Sequence, residues 1–350
     1  MRWRWLLTVV TLLQGGLLAV SDALAQEGAF YRGKTVTVIA ASSPGGGYDL
    51  YARLIARHMG KHLPGNPQFV VQNMPGAASN VAAAYVYNVA PKDGTVIGGI
   101  FMGAVVEPLF GEAKRRTHDT SRFNYIGNAN VDAYVCLVRS DAGVDSFADL
   151  FRKEIVVGAS AEGASTRDYP SLLKNLLGAK LKIVAGYPGT REINLAIEKG
   201  EVQGGCGQTW SSVSATYPAW FRGDKGPPLV KPLVQEANVG YGGLDAMGVK
   251  LVRGHAATQE QRDVLQLVYS QTAFSRPYVV APGVPEDRVE ALRKAFRDTL
   301  ADPELIAEAK RLNVDIGATE GAELQSLIAK IYATPSDIVE KARSALIFRP

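Results

Sequence analysis

The sequence predicts an α/β fold. Short runs of β-favouring residues alternate along the chain with segments whose apolar residues recur at helical spacing, and the junctions between them are rich in glycine and other small residues. Length adds a second constraint: residues 26–350 exceed what one core commonly encloses and suit two domains or a divided α/β fold. Strands alternating with helices favour a mostly parallel sheet covered on both faces, and ligands of such sheets meet the carboxyl ends of the strands.

Residues 1–25 stand apart from that pattern. Arg2 and Arg4 precede an apolar run over 6–20, and Ala23-Leu24-Ala25 is a small-x-small site before Gln26. This is the pattern of a secretory signal peptide cleaved after Ala25. Its apolar core is shorter than the roughly 20 residues of a membrane span. Gln26 rather than a cysteine follows the cleavage point, so nothing suggests a lipid anchor, and the expectation is a soluble exported protein; a monomer is expected.

The first strand is KTVTVIAA (34–41), and the apolar spacing over 50–62 predicts a helix. Between them lies PGGGYD, made of Pro44, Gly45, Gly46, Gly47, Tyr48 and Asp49. Three glycines let the backbone turn tightly and approach a ligand. The first N–H groups of the following helix have no intrahelical partner and sit at the positive end of its dipole, where an anion is favoured. Asp49 fits an N-cap, and Tyr48 could close over a ligand or pack in the core.

A second unit follows, with a strand over 69–72, a loop containing Pro75-Gly76, and a helix over 79–89 with Ser79 as candidate N-cap. PKDG (91–94) turns the chain into a strand over 95–101. The middle of the chain repeats the design: a strand over 134–138, a short helix over 147–151, and a strand over 154–157. GASAEGAST (158–166) then leads into a helix over 167–177 that Gly178 stops. A strand over 181–185, the loop GYPGT, and a helix over 191–199 capped by Thr190 come next. The last third is helical, with starts at Pro285, at Asp302-Pro303-Glu304 and at Thr334-Pro335.

Charge and cysteine content narrow the function classes. A net charge of +4, spread along the chain, does not support nucleic-acid binding. Cys136 and Cys206 both fall in strand-like runs, and a disulfide and two separate buried thiols explain them equally well. PGGGYD lacks the Lys-Ser/Thr of a phosphate-binding P-loop and the full dinucleotide fingerprint. His58 and His62 have metal-compatible spacing, yet no third ligand is evident and histidines near a helix C-terminus are favourable without metal. Neither metal nor cofactor is expected.

Several residues have both a bland and a functional reading. GASAEGAST nearly matches the nucleophile elbow G-x-S-x-G around Ser160, but Glu162 replaces the second glycine. Ser160, Ala161, Gly163, Ser165 and Thr166 read better as a second anion-binding loop at a helix N-terminus, its hydroxyls serving as donors. Thr190, Gln208 and Trp210 stand near predicted strand ends and could line a cleft, although a core role suits the tryptophan equally. A secreted serine hydrolase using Ser160 remains the enzymatic alternative.

The order of motifs resembles the periplasmic substrate-binding proteins of tripartite tricarboxylate transporters, the Bug or TctC-like family. PGGGYDLYARLIA (44–56), VVQNMPGAAS (70–79), PKDGT (91–95), VVGASAEGAS (156–165) and APGVPEDRVEALRKAF (281–296) carry the likeness. The resemblance implies a two-lobed periplasmic binding protein of type II-like, Venus-flytrap form with crossing hinge strands. Lobe 1 would hold residues 26–128 and 280–350, and lobe 2 residues 129–279. It further implies that a small organic acid is held by one βα loop from each lobe and delivered to the permease subunits of a membrane transporter. A signalling partner in place of the permease is the alternative.

Overall fold

The structure is a computed structural model that describes residues 30–45, 47–110, 117–160, 163–223 and 226–349. The expected signal peptide lies outside the described residues, as do Gly46, Ala161 and Glu162 of the two candidate loops.

In chain order the elements begin with β1 (Thr35–Ala40), α1 (Gly47–Met59), β2 (Gln68–Asn73), α2 (Asn80–Asn88), β3 (Val96–Gly99), α3 (Met102–Phe110) and β4 (Asn124–Asn128). The middle of the chain supplies β5 (Tyr134–Arg139), β6 (Ile155–Ala159), α4 (Ser165–Leu177), β7 (Leu181–Ala185), α5 (Thr190–Lys199), β8 (Gly204–Thr209) and α6 (Trp210–Thr216). After these come β9 (Val230–Glu236), α7 (Gly242–Ala246), α8 (Gln259–Val268) and β10 (Pro277–Val280). The chain closes with α9 (Glu286–Leu300), α10 (Pro303–Arg311), β11 (Thr319–Glu320), α11 (Gly321–Tyr332) and α12 (Ser336–Leu346). None of the described helices is long and apolar enough to cross a membrane.

These elements form two compact units. The first contains the described residues of 30–108, 117–130 and 276–327, and the second those of 109–110, 131–275 and 328–349. The sequence reading divided the lobes at 128/129 and 279/280 and gave all of 280–350 to the first. In the structure the tail from residue 328 groups with the second unit. Asn175 of α4 donates to the carbonyls of Ala345 and Ile347, and Lys341 of α12 pairs with Glu260 of α8 at 2.5 Å.

The sheet of the first unit runs β11-β4-β10-β3-β1-β2. Strand β1 pairs in parallel with β2 and β3, whereas β10 is antiparallel to both β3 and β4. The second sheet runs β7-β6-β8-β5-β9, with β6 parallel to β7 and β8, and β5 antiparallel to β8 and β9. Both sheets are therefore more mixed than strand–helix alternation suggested. The reason is connectivity: β5 and β10 are the first strands the chain makes on entering a new unit, so no crossover helix fixes their direction.

Core packing follows the sequence periodicities. On α1, Tyr51, Ala52, Leu54, Ile55 and Met59 are buried, and they pack in one cluster with Val36 and Val38 of β1 and with Leu292 and Phe296 of α9. The second unit packs Val135 and Leu137 of β5 against Ile193, Ala196 and Ile197 of α5. Cys136 and Cys206, which sequence left open between a disulfide and separate thiols, are bonded across the neighbouring strands β5 and β8.

Two expected caps take other forms. Ser79 is left-handed (φ 81°) and makes no capping bond; its Oγ accepts from the Phe101 amide instead. Thr190 is the first helical residue of α5, and Gly189 occupies the cap. By contrast Asp302 caps α10 as expected, accepting from the Glu304 amide at 2.8 Å.

Candidate functional site

In the first unit, Pro44, Gly45, Gly47 and Tyr48 lie where β1 gives way to α1, at the carboxyl end of a strand that is inner to its sheet. Asp49 is not the N-cap. It is the third helical residue, buried, and its carboxylate reaches back to accept the Gly45 N–H at 2.8 Å. Arg53 one turn on and Asn73 at the end of β2 donate to the same carboxylate at 3.0 and 2.8 Å. The Arg53 guanidinium is the main cause that holds the Asp49 carboxyl down at about 2. Asp49 thus closes the loop and takes up the Gly45 donor.

Positive charge reaches this loop from a residue that sequence reading did not single out. Arg276 is buried, and its guanidinium carbon stands 4.3 Å from the ring centre of Tyr48 and 5.1 Å from that of Tyr51. One terminal nitrogen lies 3.4 Å from where a Cβ on Gly47 would stand. The Arg276 amide donates to Asn128 Oδ1 at 2.9 Å, which fixes the backbone from which the side chain extends. Tyr48 also packs against Phe101, and its hydroxyl accepts from the Met102 amide. No local pattern links Arg276 to a loop more than 200 residues earlier in the chain, so no sequence signal flagged it.

In the second unit, Ser160 follows β6, and Ser165 and Thr166 open α4. Ser160 Oγ and Thr166 Oγ1 are 2.6 Å apart and buried, while Ser165 Oγ donates to the Gly207 carbonyl at 2.7 Å. Ala164, at the cap of α4, offers no side-chain bond to the helix. Gly163 stands open, with φ +80° and no atom within 4 Å of an added Cβ. The hydrolase alternative gains no support from this geometry. The partner of Ser160 is a threonine, and His255 packs against Phe147 and Phe151, its pKa lowered by burial.

Gln208 of β8 is 2 % exposed, and neither its Oε1 nor its Nε2 has a hydrogen-bond partner among the described residues. Thr190 begins the neighbouring helix α5, which packs on the same sheet. Trp210 takes the core reading: its ring packs against Phe221 within the cluster that contains Val135 and Ile193.

Gly207, also in β8, is left-handed (φ +71°) and presses directly on the start of α4. Its amide donates at 2.7 Å to Glu236 Oε2, a fully buried carboxyl at the end of β9. Burial pushes the Glu236 pKa up to about 8, against the opposing effect of the Gly207 hydrogen bond. Neither Gly207 nor Glu236 carried a motif in the sequence.

His58 and His62 face α10. His58 Nε2 meets Glu308 at 2.7 Å, and His62 Nε2 meets Asp302 at 2.7 Å, with Lys61 also on Asp302. One candidate donor atom from each of His58, Asp302 and Glu304 lies within 4.8 Å of the others. Beside them is an open groove of about 690 Å³ lined by His58, Glu304, Ala307, Glu308, Lys310 and Arg311. It sits at the far end of α1 from the glycine loop.

The chain matches no protein-family model. It matches no curated protein either. Among solved structures it is similar to a ligand-free TctC solute-binding protein from Polaromonas, with TM-score 0.67 and 19% identity over 89% of this chain and 99% of that one. The periplasmic binding protein BugD matches with TM-score 0.61 and 19% identity, over 89% and 98% of the two chains. MatC from Rhodopseudomonas palustris, solved with bound malate, matches with TM-score 0.59 and 20% identity, over 88% and 99%. An R. palustris protein solved with adipate gives 0.61 and 18%, over 89% and 97%. The fold is therefore that of the two-lobed α/β periplasmic binding proteins.

Proposed function

We propose that this chain, which has the fold of the TctC and Bug periplasmic binding proteins, is an exported receptor that binds a small organic acid and hands it to a membrane permease. The observation that carries this reading is the buried guanidinium of Arg276, set against Gly47 at the mouth of the glycine loop. A buried permanent cation beside a strand-to-helix loop favours a carboxylate, because charge-assisted hydrogen bonds in a partly desolvated site are about twice as strong as neutral ones. Malate and adipate in two structures of the same fold support acids as the ligand class.

In the first unit the candidate contacts for an acid are Arg276 and the amides near Gly47 and Tyr48. The second unit has candidates of its own: the start of α4 at Ser165 and Thr166 offers helix N–H groups, and the Ser160–Thr166 hydroxyl pair has one proton left to donate. Gln208 brings a buried amide that lacks a protein partner, and Thr190 a nearby hydroxyl. Asp49 serves this site by closing the glycine loop through its carboxylate. No bond is made or broken, so the protein works as a binder, in the periplasm, after removal of residues 1–25.

Thermal-shift screening against a carboxylate library tests this. An acid present at 100 times its dissociation constant adds about 2.7 kcal/mol of stability. Arg276→Gln is expected to weaken binding of that acid by about tenfold or more, since it removes a charged hydrogen-bond donor. Lack of a shift with every acid, or ester turnover that disappears in Ser160→Ala, would overturn the reading.

A further inference from the structure

Among the described residues, Glu236 is a fully buried carboxyl that the binding role leaves unexplained. Its Oε2 accepts from the Gly207 amide, and among the described residues its Oε1 has no hydrogen-bond partner and no lysine, arginine or histidine pairs with it. The groups facing it are the Gly207 amide from β8, Tyr134 from β5, Tyr169 from α4, and Tyr269 just after α8. The three tyrosines stack edge to face, with ring centres 4.8 and 5.0 Å apart. Tyr169 receives a bond from Gln271, and the Tyr269 hydroxyl has no partner among the described residues. A carboxylate with a single backbone donor among aromatic rings pays a heavy desolvation cost, so the protonated form is favoured.

The position of this carboxyl gives the proton a consequence. Gly207 joins Glu236 to the candidate anion loop: its N–H meets Glu236, and its carbonyl accepts from Ser165 Oγ. The contact is close enough that a Cβ on Gly207 would stand 2.1 Å from the Ser165 carbonyl oxygen. Ionising Glu236 would place a negative charge directly behind the helix start that receives the ligand's own negative charge.

We infer that Glu236 is a proton-binding site coupled to the acid site, so that the receptor takes up its carboxylate ligand together with a proton. This rests on the reading that the start of α4 receives a carboxylate. By linkage, an anion that favours protonated Glu236 is in turn bound less well once that proton leaves. Burial holds the proton to about pH 8, so the effect falls above neutrality.

Calorimetry on the full-length mature protein tests the coupling, with acetate, malate, adipate, citrate and benzoate as probes in two buffers of different ionisation enthalpy. At about pH 8 the wild type is expected to absorb a substantial fraction of one proton per acid bound. Its affinity falls about fivefold or more as the pH rises toward about 9.5. Glu236→Gln, which keeps the shape and removes the titration, is expected to absorb none and to bind with little pH dependence. Binding by the wild type with no proton uptake, or equal uptake in Glu236→Gln, overturns the coupling and leaves the receptor reading standing. Failure of every probe to bind the wild type overturns both. Should Glu236→Gln not fold, the infrared band of a protonated carboxyl in the ligand-free wild type decides: it must be present at about pH 7 and lost above about pH 9, and its absence at about pH 7 overturns the proposal.

Discussion

Asp49 holds the glycine loop through three donors drawn from different places: the Gly45 amide, Arg53 and Asn73. Asp49→Ala strands all three beside a buried position and is expected to cost about 2–3 kcal/mol, read from the urea midpoint. The pH dependence has a definite sign. The folded pKa of about 2 lies below the ordinary value of 3.8, so the carboxylate stabilises the fold above about pH 4. That stabilisation is lost as the pH falls through about 2. Asp49→Asn should remove this part of the acid sensitivity, and an unchanged acid-unfolding curve would show that the bonds do not matter. PGGGYD suggests an N-cap role for Asp49 that the structure does not bear out, and the loop-closing role it has instead was not legible. The carboxylate points back along the loop because Asn73 and Arg53 stand ready to hold it there, and Asn73 belongs to a different strand.

Helices and strands followed their sequence signals closely where the signal was local. The predicted strand 181–185 coincides with β7, and the helices ended by Gly178 and Gly200 stop at those residues. Signals failed where a neighbouring element supplied the determining contact. Ser79 looks like a cap but spends its hydroxyl on Phe101, whereas the strand-like run around Cys206 does form β8 despite its glycines. The glycines of β8 are explained by proximity. Gly207→Ala would force a Cβ to 2.1 Å from backbone of α4 while keeping φ at +71°, and is expected to cost about 2 kcal/mol or more and to impair acid binding. Gly163→Ala, also left-handed but with open space around it, should cost only about 1–2 kcal/mol from its φ alone. Equal losses in the two variants would mean that the approach of β8 to α4 is not a constraint. Thermal melts of the pair decide this.

Over the whole molecule, the two units draw on different parts of the chain, and the second is tied internally by Cys136–Cys206, a bond that closes a sequence separation of 70 residues. Removing it by the double serine variant is expected to lower stability by about 2–4 kcal/mol, with the urea midpoint of the oxidised wild type as reference. A midpoint indifferent to reductant would contradict the bond. The sequence by itself determined the α/β class, the alternation of elements and the two strand-to-helix loops, because periodicity and turn chemistry act over a few residues. Tertiary structure alone decided that the tail from residue 328 joins the second unit, that Arg276 brings its charge to a loop some 230 residues earlier in the chain, and that Glu236 lies buried behind Gly207. Each of these is a contact between residues far apart in sequence, set by how layers pack, and a pattern read along the chain carries no term for it.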